Sequence, residues 1–288
     1  ADLARQRPAR RGQQPGHLLD SILTLDIVPS VIVFSGGGYH CVPLDTEILT
    51  SNGWRKWNEV NAGDNVVGYN TNTESLELTT MTGKILKSDD ELVHVHNGNF
   101  SAICTPDHRW VTHVKTGRQG TKLVKNQLTK ARDISNRRHK IVVSAPFVEQ
   151  KDCLNITEME SEVLGWIISD GRILSCDRLE ITQSEKKYAD IIRSLLNGIP
   201  HSEGYYHKDK PDFVTWRIGN GWARDLLTRS GLTYDSLNSE SWSQFVLKLS
   251  PSCRKSFLKT AFYGDGTMNR GTQCMVQKMG DRADALNL

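Results

Sequence analysis

At 288 residues, with 38% apolar and 24% charged positions and a formal net charge of +3, the chain has a globular composition and the length of about two domains of ~100 to 200 residues each. Its longest apolar run, around Ile27 to Phe34, is shorter than the ~20 residues a bilayer span needs, and the arginine-bearing start has no signal-peptide apolar core, so neither membrane insertion nor secretion is expected. Six cysteines (41, 104, 153, 176, 253 and 274) without a C-x-x-C pair argue against a zinc cage or a small disulfide framework and fit a reducing cytosol.

Residues 1 to 40 run from an arginine-rich stretch through an amphipathic segment, HLLDSILTLDI, into PSVIVFSGGGYH; Val31 to Phe34 reads as a buried strand entering a glycine turn. From Cys41 to about Phe147 the short segments EILT, WRKWNEV, NVVGY, ELVHVH and FSAIC are separated by turn signals such as Ser51-Asn52-Gly53 and Ala62-Gly63-Asp64, which predicts an all-β module. His94 and His96 share a strand face, a spacing more typical of a strand surface than of a metal site. Between Lys115 and Lys140, Lys115, Arg118, Lys122, Lys125, Lys130, Arg132, Arg137, Arg138 and Lys140 stand against the single acid Asp133. That run is either a solvated surface or a phosphate-contacting patch.

After Ile156 the signal becomes helical. Thr157 with Glu160 three residues on is a capping box ahead of an apolar helix. RLEITQS then reads as a strand, KKYADIIRSLLNGI as an amphipathic helix, GYYHKDKPDFVTWRIG as a hairpin, NGWARDLLTRSGL as a helix and Pro251 to Tyr263 as another. MNRGTQCMVQK reads as one more strand and DRADALNL as the start of a helix, so a helix-then-strands unit begins twice, at Asp170 and at Asp265. The expected divisions are 1–40, 41–150 and 151–288.

Cys41 follows SGGGYH and opens CVPLDTEILTSNG, with TPDHRWV at Thr105 to Val111. A cysteine thiolate can attack the carbonyl of His40 through a five-membered ring and leave a thioester. The departing nitrogen needs a proton, which His108 can supply, while Thr105 on the same turn can hold the scissile carbonyl or amide. Asp107 can orient the imidazole or simply cap the turn. With DTEILT at Asp45 to Thr50 and GDNVVGY at Gly63 to Tyr69, this pattern resembles the N-terminal splicing segment of inteins (Hint-type domains). The resemblance implies an all-β horseshoe, a cleavage junction between His40 and Cys41, those roles for Cys41, Thr105 and His108, and no cofactor for splicing. Inteins close on an Asn, usually preceded by His and followed by Cys, Ser or Thr. Asn287 in ALNL has neither neighbour. The resemblance therefore implies that a C-terminal intein segment and C-extein are missing and that this chain does not splice alone.

Two further strings, VLGWIISDG (Val163 to Gly171) and LKTAFYGDG (Leu258 to Gly266), are each an apolar helix ending in Asp-Gly. Small residues four apart, Gly165 with Ser169 and Thr260 with Gly264, allow close helix approach and would bring Asp170 and Asp265 together at the helix bases. Hard carboxylate oxygens from both suit Mg2+ held against scissile phosphates. Gly171 and Gly266 let the chain turn from helix into strand. Arg172, Arg178, Lys208, Lys210 and Arg217 are placed to reach phosphates or guanine edges, and Lys186 and Lys187 open a helix where cations oppose its dipole, a hint of an external phosphate. The paired strings resemble those of LAGLIDADG (DOD-type) homing endonucleases. That implies an αββαββα domain whose second half stops short at Leu288, Mg2+ at Asp170 and Asp265, double-stranded DNA as partner, and a monomer.

The PSVIVFSGGGYH string resembles the strand and turn of archaeo-eukaryotic-type primases of phages and plasmids, which implies that Ser35 and His40 contact nucleotide phosphate and that residues 1–40 are a host (N-extein) piece. The expectation is thus an α+β chain: host fragment, all-β splicing domain, then a cytoplasmic DNA endonuclease. Two rivals stay open, a LAGLIDADG-derived DNA-binding regulator that does not cut and a Hedgehog-type autoprocessing domain that cleaves only at Cys41.

Overall fold

The computed structural model describes residues 4–5, 28–35, 38–89, 91–97, 100–117, 120–148, 152–205, 211–234, 241–269, 272–275 and 285–286; for 4–5, 28–35, 38–42, 85–89, 269 and 272–274 it gives the backbone alone. The segment HLLDSILTLDI, Arg118, Lys208, Lys210 and Asn287 lie outside the described residues. The chain is α+β and divides into two units, Ala1–Val148 and Glu149–Leu288.

Among its described residues the first unit is built from strands and one 3-10 turn, Ala131–Asp133. Its strands are β1 (Ala4–Arg5), β2 (Val28–Ser35), β3 (Gly38–Pro43), β4 (Glu47–Thr50), β5 (Gly53–Lys56), β6 (Asn65–Asn70), β7 (Ser75–Asp89), β8 (Val93–His96), β9 (Ser101–Cys104), β10 (Arg109–Thr116), β11 (Lys122–Lys130) and β12 (His139–Ile141). A seven-stranded sheet runs β1-β4-β6-β7-β2-β3, with β5 also on β4. The long β7 pairs with β6 through Ser75–Thr80 and with β2 beyond Met81, so one strand carries two ladders. Part of the stretch read as host, residues 28–35, is therefore a strand of this sheet.

The Ser51-Asn52-Gly53 signal closes β4 onto β5. Thr50 Oγ1 donates to the Gly53 carbonyl at 2.8 Å, and Gly53 takes φ 91°, a left-handed value that costs glycine little. Ile48, Val60, Val66 and Met81 form a small core with Leu44 and Trp57 packed on it, and Lys84 Nζ crosses to the Trp57 and Val60 carbonyls at 2.9 and 2.5 Å. The basic run from Lys115 to Lys140 folds as a separate antiparallel sheet, β11-β10-β12.

The second unit contains α1 (Glu158–Asp170), β13 (Gly171–Ile173), β14 (Leu179–Ser184), α2 (Ala189–Leu195), β15 (His201–Gly204), β16 (Phe213–Ile218), α3 (Asn220–Ser230), α4 (Ser241–Leu247), α5 (Pro251–Asp265), β17 (Gly266–Asn269) and β18 (Thr272–Met275). The capping box at α1 forms as read: Thr157 Oγ1 accepts from Glu160 N at 3.2 Å and Glu160 Oε2 from Thr157 N at 2.8 Å. Such a cap is worth about 1 kcal/mol. Arg229 of α3 then grips the same Glu160 at 2.5 Å and holds its carboxyl below the usual range, despite burial acting the other way. At α5, Ser250 caps and Pro251 occupies the first turn, where its missing N–H costs nothing.

The sheet β13-β14-β16-β15 is antiparallel throughout. One face, with Leu179, Ile181, Val214, Trp216 and Ile218, is buried in a core shared with Trp166, Ile167 and Ile168 of α1 and Phe257 and Ala261 of α5. Three readings need correction. MNRGTQCMVQK contains not one strand but two, β17 and β18, paired as a hairpin. The α2 helix starts at Ala189, so Lys186 and Lys187 lie in the turn before it and do not open the helix. The short α4 went unread; Trp242 and Phe245 bury it, and Arg254 donates to the Val246, Leu247 and Leu249 carbonyls at its end.

Candidate functional site

In the first unit the Thr-Pro-Asp-His string makes a turn: His108 N donates to the Thr105 carbonyl at 3.0 Å. Both Thr105 and His108 are buried. The turn is pinned from behind by Ala131 N on the His108 carbonyl (2.8 Å) and Arg132 N on the Pro106 carbonyl (3.1 Å). The imidazole lies 4.9 Å from the Trp110 ring, which Phe100 meets edge-on at 5.5 Å. Asp107 points outward and is held by Lys130 at 2.8 Å and by Arg132, which keep its carboxyl below the usual range. Cys41 lies on β3 opposite Ile32, with His40 opposite Val33, and Ser35 pairs with Gly38. β3, which carries Cys41, lies against β9, the strand that runs into Thr105. The side chains of Ser35, His40 and Cys41 are outside the described set.

In the second unit α1 and α5 pack face to face through the small residues. A β-carbon at Gly165 would collide with Thr260 Oγ1 and with the Phe257 carbonyl. One at Gly264 would collide with the Ser169 hydroxyl and stand 2.7 Å from Asp170 Oδ2. The two hydroxyls are disposed of locally: Ser169 Oγ donates back to the Gly165 carbonyl (3.1 Å), and Thr260 Oγ1 donates across to the Glu162 carbonyl (2.9 Å). The interface so formed ends at Asp170 and Asp265.

Each helix passes directly into a hairpin through a glycine, Gly171 into β13–β14 and Gly266 into β17–β18. Neither glycine is left-handed: φ is −127° at Gly171 and −79° at Gly266. Space is the reason for them instead, because a β-carbon at Gly171 would lie 2.7 Å from the Glu180 carbonyl oxygen and one at Gly266 would strike Phe262. Burial, and then the neighbouring charge of Asp265, push the Asp170 carboxyl up to about 6, against the opposing effects of Lys187 and Gln183.

No protein-family model matches the chain, and no curated protein matches it.

The expected DNA-contacting arginines are engaged within the unit. In register across the sheet, Arg172, Glu180 and Arg217 stand side by side on one face. The buried Glu180 takes Arg172 at 2.5 Å and Arg217 at 2.8 Å, and both hold its carboxyl below the usual range although burial opposes them. Arg178 Nε donates to Asn220 Oδ1 at 2.5 Å. Arg172 and Arg217 keep 59% and 40% of their side-chain surface exposed.

Two groups beside Asp170 were not singled out from sequence as site residues. Gln183 Nε2 donates to Asp170 Oδ2 at 2.8 Å, and its amide orientation is fixed by Ser184 N donating to Oε1 at 2.7 Å. Its signal was present: in LEITQS the inward positions Leu179, Ile181 and Gln183 put a polar amide on the apolar stripe. Lys187, read only as a helix-start cation, is a positive neighbour of Asp170. It precedes Tyr188, whose ring stacks on Tyr263 of α5 at 5.2 Å. Among the described residues no three His, Cys, Asp or Glu side chains gather around a point, and no helix is long and apolar enough to cross a membrane.

Proposed function

We propose that residues 149–288 are the DNA-cutting part of a LAGLIDADG-type homing endonuclease, and that residues 41–148 are the N-terminal part of a Hint-type splicing module in a primase-like host. The observation that carries the first reading is the meeting of Asp170 and Asp265 at the ends of two glycine-packed helices, each entering a hairpin. Two carboxylates close enough for one to raise the other's pKa are a poor arrangement alone and a good one around a hard cation. Mg2+ takes one or two carboxylates and completes its shell with water and substrate phosphate oxygens, so this sparse donor set fits it. Bound there, it would supply Lewis acidity and a more acidic water for phosphodiester hydrolysis. Gln183 holds the Asp170 carboxylate by donating to its Oδ2, and Lys187 adds a positive charge that favours an incoming phosphate.

The splicing reading is supported by the buried Thr105–His108 turn at the end of β9, which lies against the strand that bears Cys41. The Cys41 thiolate sulfur bonds to the His40 carbonyl carbon as the carbon–nitrogen bond breaks, and His108 gives the leaving nitrogen its proton. A thioester and a free Cys41 amine result.

The test uses the product of the intact gene that encodes these residues and a plasmid carrying the SGGGYH codons, a site on the order of 20 base pairs. Double-strand cleavage with Mg2+ is expected, lost in Asp170→Asn and in Asp265→Asn with DNA binding retained. Undiminished cutting in both variants would take the two aspartates out of the active site.

A further inference from the structure

The sheet formed by β10, β11 and β12 divides the basic run into two populations. Lys125 is taken by Glu74 at 2.9 Å, and Lys130 and Arg132 by Asp107. Lys115, Lys122, Arg137, Arg138 and Lys140 have no carboxylate partner among the described residues, and all five are exposed. The register pairs His113 with Lys140 and Val114 with His139, and Lys115 N donates to the Arg138 carbonyl at 2.7 Å. Side chains alternate across a strand, so Lys115, Arg138 and Lys140 share one face.

At the end of this sheet a cavity of about 560 Å3 opens between strands, lined by Lys115, Arg137, Arg138 and His139 and by the glycines of the β10–β11 turn, Gly117 and Gly120. Among the described residues no carboxylate lines it. Like charges gathered without counter-ions repel one another, and in a chain with 33 acidic residues their gathering calls for an external anion.

We propose that this cavity and the cationic face beside it bind the phosphodiester backbone of duplex DNA, giving the first unit a grip of its own. The spread of charge favours a polyanion over a single phosphate. Lys115 and Arg138 stand one strand spacing apart, ~5 Å, and Lys140 lies two residues further along the strand, ~7 Å, whereas duplex DNA carries one charge per ~1.7 Å of its axis, so several phosphates can meet this face at once. The contacts are to backbone rather than to base edges, so they position DNA without reading it. This inference rests on the reading of the chain as a DNA-acting protein.

The experiment is equilibrium binding of the 288-residue chain to a labelled duplex of about 30 base pairs and arbitrary sequence, followed as a function of salt. In the Lys115→Gln, Arg137→Gln, Arg138→Gln triple variant the dissociation constant should rise by roughly tenfold or more, and the slope of log K against log salt should fall by about three. Lys125→Gln, whose cation is already paired, should change neither. The charge-keeping triple Lys115→Arg, Arg137→Lys, Arg138→Lys should retain the slope. Circular dichroism melting checks folding; if the neutral triple melts early, the single variants Lys115→Gln and Arg138→Gln are read in its place, each with a slope change of about one. Unchanged affinity and slope overturn the proposal. So does displacement of the duplex by micromolar ATP or inorganic phosphate, which would mark a small-ligand site, or tighter binding to phosphatidylserine vesicles than to DNA. Because this readout is binding without cleavage, loss of affinity in the triple variant alongside an inert plasmid assay would refute the nuclease and keep the grip. Plasmid cutting with unaltered binding would do the reverse.

Discussion

Gly165 and Thr260 occupy one position in space between them: the α-carbon of the first lies where only a hydrogen fits beneath the hydroxyl of the second. Helix α1 is thereby locked to α5 at a separation set by the absence of a side chain.

Gly165→Ala should consequently destabilise the second unit by about 1–3 kcal/mol or more, since the new methyl must push aside a hydroxyl and a backbone carbonyl. Gly221→Ala is the control. A β-carbon there meets nothing, and the same exchange in a helix should stabilise by up to about 1 kcal/mol. Urea melts of both proteins decide the matter, and equal stability of the Gly165 variant and the parent would rule out the close contact.

The Asp170 carboxyl titrates near 6 in the folded chain, well above the ordinary value of 3.8. The folded state therefore binds more protons than the unfolded state between these values, and stability falls as pH rises through about 6. Asp170→Asn removes that loss. Its melting temperature should exceed the parent's at about pH 7 and converge with it toward about pH 4. Millimolar Mg2+ should raise the parent's melting temperature at the higher pH and leave the variant's unchanged, a result independent of any cutting assay.

Glu180→Gln should separate grip from stability. With the carboxylate gone, Arg172 and Arg217 lose their ion pairs, which should cost about 1–3 kcal/mol of stability, because Glu180 is buried and part of that pairing is sheltered from solvent. The freed guanidiniums should tighten DNA binding and steepen its salt dependence by up to about two. Weaker binding in this variant would place both arginines outside the DNA contact.

In the product of the intact gene, hydroxylamine or excess thiol should cleave the bond between His40 and Cys41. Cys41→Ala should abolish the cleavage, and His108→Ala should slow it by about 100-fold or more, the usual size of a general-acid contribution. Cleavage of the Cys41→Ala protein at that bond would rule out a thioester.

Much of the second unit was legible because its signals are local. The Thr157–Glu160 box, the alternation in LEITQS and the small-residue spacing at Gly165 and Ser169 each depend on neighbours within a turn or two. What could not be read depends on partners far along the chain. Glu180 gives no sign in sequence that it will claim Arg172 and Arg217, and Lys187 gives none that Tyr188 will hold it near Asp170 by stacking on Tyr263. The α4 segment was missed because its seven residues are too few to display a period; tertiary burial of Trp242 and Phe245 fixes it. The basic run was ambiguous for the same reason, since only the folded sheet reveals which of its cations are already paired.

The hydrogen of Gly264 faces an oxygen of Asp170, so the groove that seats one helix on the other is also the wall of the acidic site. A side chain at position 264 cannot loosen the joint and leave the Asp170 carboxylate where it stands. Arg172 and Arg217, on the other face of the sheet, stand apart from that shared surface and can change without moving it.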